Sequence, residues 1–183
     1  MQFLSGIIAV LDWINNKILA LCKLLTTVLV GVIAVNVFIG VFWRYVLNDS
    51  LAWYEESAKY MMLWMVFVAC PIVLKQRGHI ALDMLPRALP PRLRNVNYLI
   101  IYTATFFLVS VFVYEGVGLA YIARGQSPTS VDISFAYIYA SIQFGCAVMA
   151  LISLEFWFRA LRGIFRPEET DLSAGDMVDT SLS

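Results

Sequence analysis

Four stretches without a charged side chain, residues 24–43, 60–74, 95–114 and 133–154, constrain this chain more than any other feature of it. Three of them reach the roughly 20 residues that a helix needs to cross a hydrocarbon layer about 30 Å thick. The second is shorter, but it extends back through Lys59 to Trp53 if its early charges sit at the interface. A backbone in lipid must satisfy its own hydrogen bonds, so each stretch is read as a helix. With 61% hydrophobic and only 14% charged residues, the chain has too little polar surface for a water-soluble domain. The expected fold is an all-α integral membrane protein. It has four transmembrane helices, over about 20–43, 53–74, 95–123 and 133–157, plus short interfacial amphipathic helices.

Charge is informative by position. The formal net charge is +0, which removes the case for a basic nucleic-acid-binding surface. Ten of the thirteen basic residues fall before the first span, between the second and third, or after the fourth; only Arg44, Lys59 and Arg124 fall on the other side. Under the positive-inside rule, both termini and the middle loop are expected in the cytoplasm. Aromatic residues agree: Trp43, Tyr45, Trp53, Tyr54, Tyr121 and Tyr137 gather at one expected interface, and Trp13, Tyr98 and Trp157 at the other.

Before the first span, Phe3, Leu4, Ile7, Ile8, Leu11, Ile14 and Ile18 recur at helical spacing, with Asp12, Asn15 and Asn16 off that stripe. The segment is an amphipathic helix that either lies on the membrane surface or lengthens the first span. Residues 80–89 form a similar patch, broken by Pro86 and closed by Pro90 and Pro91. Residues 1–166 therefore read as one membrane domain. From Pro167 the chain turns acidic, rich in Ser and Thr and poor in large apolar groups, so 167–183 is expected to be a disordered cytoplasmic tail. Met1 to Leu11 lacks a basic n-region and a small-residue cleavage pattern, and is expected to stay on the mature chain.

Chemistry-bearing residues are sparse. Cys22, Cys70 and Cys146 stand singly in apolar runs and read as small core residues, with neither a disulfide nor a zinc site implied. His79 is the only histidine, so a bis-histidine haem within one chain is excluded; Asp83 lies four residues on and could share its helix face. Glu115 is the ionisable residue nearest mid-membrane and reads as lying in the outer part of its helix. Asn36 and Gln143, deep in the first and fourth spans, read as hydrogen-bonding glue between helices. Small residues at packing intervals, Asn36 with Gly40, Gly116 with Ala120, Ala136 with Ala140 and Ser141 with Gly145, permit close helix approach. Pro71 removes one backbone bond and predicts a bend in the second span. Asp49 or Ser50 can cap that helix, whose first turns carry Glu55 and Glu56, and Glu55 stands four residues before Lys59. No catalytic set, cofactor site or metal site is expected.

In their order, Phe42, Arg44 and Tyr45, then Trp53 with Glu55 and Glu56, then the apolar second span, then Arg77-Gly78-His79-Ile80 with Asp83, resemble the small membrane subunit of tripartite ATP-independent periplasmic (TRAP) transporters, the DctQ-like proteins. These residues cover about a fifth of the chain, and size and topology extend the likeness across nearly all of it. Two departures stand out: Val68-Ala69-Cys70-Pro71 replaces a frequent glycine-alanine pair, and Asp132-Ile133-Ser134 stands where a proline is usual. The resemblance implies a bacterial inner-membrane complex. In it a periplasmic binding protein delivers an organic acid to two membrane proteins and a sodium gradient drives uptake. It further implies that the large membrane subunit carries the substrate and sodium sites, while the small one packs on its fixed scaffold among membrane lipid. Arg44, Trp53, Glu55 and Glu56 would be structural or partner-contact positions on the outer side, and His79 and Asp83 on the inner side. Two other classes stand beside this one: a self-sufficient small oligomeric transporter, whose sign would be a mid-membrane carboxylate, and a redox-enzyme anchor, whose sign would be histidines within spans.

Overall fold

A computed structural model describes residues 2–49, 52–76, 91–127, 130 and 133–165. Its helices are α1 (Gln2–Val46), α2 (Ala52–Lys75), α3 (Pro91–Ile122) and α4 (Phe135–Phe165), with a short 3-10 turn, Ala123–Gly125, closing α3. All four are long and apolar enough to cross a membrane. The chain is all-helical, as its uncharged runs require. The second amphipathic patch, the Pro90 side of the middle loop and the tail from 167 lie outside the described residues.

The first amphipathic segment is no separate surface helix. It continues into the first span as one helix of 45 residues, about 67 Å at 1.5 Å per residue. α1 ends where Asn48 takes a left-handed conformation (φ 51°), a geometry Asn tolerates better than most residues; the N–H groups of Leu47 and Asp49 both donate to the carbonyl of Trp43. α2 continues as helix through Pro71. α4 starts at Ser134, whose Oγ accepts from the N–H of Ala136 (3.3 Å) and donates to the carbonyls of Ala123 and Arg124 (3.2 Å each). Serine thus supplies the cap that starts α4.

α4 lies at the centre. It packs against α1 and α2 on one side and α3 on the other, and among the described residues neither α1 nor α2 comes close to α3. Leu19, Leu74, Tyr98, Tyr102, Val148, Ile152, Phe156 and Ala160 form the core, with Tyr102 stacked on Phe156 at 5.0 Å between ring centres. This core sits toward the end where α1 begins and α2 and α4 finish, here called the proximal end; the opposite end is distal. Helix crossings are made at glycines. A Cβ at Gly40 would run into the Tyr54 ring, and one at Gly145 would meet the Phe67 carbonyl and, at 2.9 Å, its Cβ. The Phe67 carbonyl is the one Pro71 deprives of its helical donor, so the missing side chain at 145 lets α4 lie directly on it.

Candidate functional site

The amides inside the spans do what the sequence suggests. Asn36 Nδ2 of α1 donates to the Tyr54 carbonyl (3.0 Å) and to Ser57 Oγ (3.2 Å) of α2. Gln143 Nε2 of α4 donates to the Gly116 carbonyl of α3. Two latches missed in the sequence extend the α3–α4 seam: buried Asn95 donates to the Gly163 carbonyl (2.7 Å), and the Trp157 indole N–H donates to Thr103 Oγ1 (3.0 Å). Every one of these bonds joins one helix to another, so this polar chemistry is spent on holding the helices together.

At the distal end, Arg44 Nη1 of α1 stands 3.6 Å from Glu55 Oε1 of α2, with both side chains 57% exposed. Glu55 also accepts from the Tyr54 hydroxyl (3.0 Å), so it is engaged with Arg44 and Tyr54 rather than with Lys59. Glu56 accepts from the backbone N–H of Ser130 (3.2 Å), tying α2 to the α3–α4 connection. Trp53 is 43% exposed. Of the six expected motif residues, Arg44 and Glu55 are brought together, Glu56 is tied instead to Ser130, and Trp53 stands exposed at the same end of α2; His79 and Asp83 lie outside the described residues. Glu115 is exposed on α3, about 10 Å from that helix's distal end.

The largest departure from expectation lies at the proximal end. Glu155 of α4 is completely buried, and the Lys75 ammonium of α2 sits 2.7 Å from both its oxygens. Arg159 Nη2 reaches Glu155 Oε1 (2.8 Å) and Asp12 Oδ1 of α1 (2.9 Å), and Lys75 also reaches Asp12 Oδ1 (2.9 Å). Asn15, fully buried on α1, donates to Glu155 Oε2 at 2.6 Å. Two cations and two anions from three helices form a closed, formally neutral knot. The sequence reading put Asp12, Asn15 and Asn16 off the apolar stripe of an amphipathic helix, and of these Asn16 is exposed while Asp12 and Asn15 are not. Those two point inward, and apolar residues such as Val10 and Trp13, 58% and 65% exposed, point outward. Ile8 of the apolar stripe is buried as well, so only Asp12 and Asn15 depart from the expected face. In lipid their pairing is favourable, because an unpaired charge is costly there and an exposed apolar side chain is not. Glu155 and Arg159, at i and i+4 just beyond the fourth uncharged run, were the available sequence signal. Among the described residues no group of three or more His, Cys, Asp or Glu side chains is arranged to hold a metal ion.

The chain is similar to known transporter components. A C4-dicarboxylate TRAP transporter small permease protein, DctQ, of Vibrio cholerae is 31% identical over 86 residues, 47% of this chain and 37% of that one. An isethionate TRAP transporter permease protein, DctMQ, of Oleidesulfovibrio alaskensis is 24% identical over 122 residues, 63% of this chain but 19% of that one. The sialic acid TRAP transporter small permease protein SiaQ of Vibrio cholerae is 24% identical over 119 residues, 65% of this chain and 69% of that one. The chain thus covers well under half of the first two relatives and about two thirds of the third. Residues 33–163 match the family described as tripartite ATP-independent periplasmic transporters, DctQ component. With its four membrane-length helices, its internally spent polar groups and this match over most of its length, the chain belongs to the DctQ component family of TRAP transporters.

Proposed function

We propose that this protein is the non-catalytic small membrane subunit of a sodium-gradient-driven TRAP transporter that imports an organic acid, and that it scaffolds the large membrane subunit. The observation that carries the reading is how little of its own apolar surface this transporter-family chain covers. Only 11% of the most apolar stretch of α1 is buried against the rest of the chain, and 33% of that of central α4. Helices latched to one another and apolar on their outer faces suit a rigid body embedded beside a second membrane protein and lipid. The DctMQ relative supports such a partnership, since the matched stretch is a fifth of a longer permease protein. The substrate is a carboxylate or related acid, in keeping with the dicarboxylate, isethionate and sialic acid named for the relatives.

In this reading residues 1–166 form the membrane domain of an inner-membrane protein with both termini cytoplasmic, which puts the distal cluster on the periplasmic side. There Trp53 and Glu55 offer part of the platform that the binding protein meets, and His79 and Asp83 belong to the cytoplasmic side. The test is uptake of a panel of labelled acids by cells carrying the binding protein and large subunit, with and without this chain. Sodium-dependent uptake that falls to background without the chain is expected; equal uptake without it contradicts the proposal. For the platform, Glu55→Lys should lower uptake several-fold while leaving the amount of membrane complex unchanged. Unaltered uptake would remove Glu55 from that surface.

A further inference from the structure

The contacts of α1 shift its membrane register away from the one its uncharged run suggests. α2 is pinned to α1 at both ends, by Lys75 to Asp12 at its last residue and by Tyr54 and Ser57 to Asn36 at its start. With 24 residues, α2 has little length to spare in crossing a ~30 Å hydrocarbon layer, so these two pins lie close to its two faces. The part of α1 that crosses beside α2 therefore runs from Asp12 to Asn36. Lys23, which flanks the first span in the sequence, lies roughly 16 Å along the helix from Asp12, nearly halfway between the pins.

A lysine at that depth needs a partner, since a charge inside the membrane is held by pairing, by a bundle interior or by a water-filled cavity. Among the described residues Lys23 has none of these. Its side chain is exposed and makes no ion pair or hydrogen bond among the described residues. Its four-carbon stem, about 6 Å long, covers less than half the distance back to the level of Asp12. Around it runs a seam at alternating three- and four-residue spacing: Ala20, Lys23, Thr27, Val30, Ala34 and Val37, every one of them exposed. That spacing places knobs for a single facing helix, and the small and β-branched side chains lose little rotamer freedom when one docks.

We propose that this seam of α1 is a docking surface for a transmembrane helix of the large membrane subunit, and that Lys23 pairs there with a carboxylate of that helix. The proposal rests on the reading of the chain as a transporter subunit, and charge complementarity selects the occupant. A lipid tail brings no anion to this depth, whereas a transmembrane Asp or Glu brings one on a surface otherwise apolar enough to meet Thr27, Val30 and Ala34.

The test uses the assembled complex. The tagged chain is purified from membranes that also hold the large subunit, and the large subunit recovered per chain is measured for the wild type, Lys23→Arg and Lys23→Glu. Recovery near wild type for Lys23→Arg and at least tenfold lower for Lys23→Glu is expected. Equal recovery for all three overturns the proposal but leaves the subunit reading standing; no large subunit with the wild type overturns both. Because charge reversal can impair insertion of the chain itself, a second measurement places a photo-crosslinking p-benzoylphenylalanine at Val30. An adduct with the mass of this chain plus the large subunit is expected. Adducts with lipid alone, or with a second copy whose exposed Glu115 offers a competing carboxylate, overturn the proposal.

Discussion

Glu155 and Lys75 show at the scale of single residues how charge is carried in this membrane protein. Each is buried, and each is matched: two cations against two carboxylates, with Asn15 filling a remaining acceptor position on Glu155. Removing one partner of such a set strands the others, which costs about 3–5 kcal/mol, whereas removing an opposite pair together costs much less. Glu155→Gln and Lys75→Met are each expected to lower stability strongly in detergent unfolding assays. The double variant, which leaves Asp12 paired with Arg159, should recover much of that loss; strict additivity of the two single effects would contradict the account. Asn36 is a smaller case. Asn36→Leu removes the α1–α2 amide latch and should cost about 0.6–2 kcal/mol in the same assay. Asn36 was legible in the sequence because it stands alone in an apolar run. The knot was not, because its members come from helices far apart in the chain and two of them, Asp12 and Lys75, sit where a hydropathy reading places ordinary interfacial charge.

Among the elements, existence and order were legible and register was not. Runs of uncharged residues identify α2, α3 and α4 because the hydrocarbon layer dictates their length. The same logic left open whether α1 is one helix or two, since the charges at Asp12, Lys17 and Lys23 look like an end to a span. The structure shows that the helix continues through them and turns Asp12 and Asn15 toward α2 and α4, while Lys17 and Lys23 stay exposed. Packing between elements depends on glycine where backbones approach. Gly145→Val forces a branched side chain onto the Phe67 backbone and should separate α2 from α4, with a cost of about 1–3 kcal/mol or more. Gly31→Ala meets nothing within 4 Å and should leave the isolated chain at least as stable as the wild type. Thermal unfolding of the two variants side by side checks both expectations, and a reversal of their order would contradict the assigned crossings.

At the scale of the whole molecule the described helices form an open arrangement: α4 is central, α3 packs against no other of the four helices, and most apolar surface is turned outward. Its polar groups fasten helices to one another at both ends and along the α3–α4 seam. That combination suits the proposed role of a transporter component held against a larger membrane subunit. Membership of the DctQ family was legible from an ordered set of residues around the first two spans. The proximal knot belongs to the structure alone. The most direct measurement is native mass spectrometry of the tagged chain extracted with its surrounding lipid. The account predicts one large multi-span permease protein bound per copy of this chain. Recovery of the chain alone, or only as copies of itself, would contradict it.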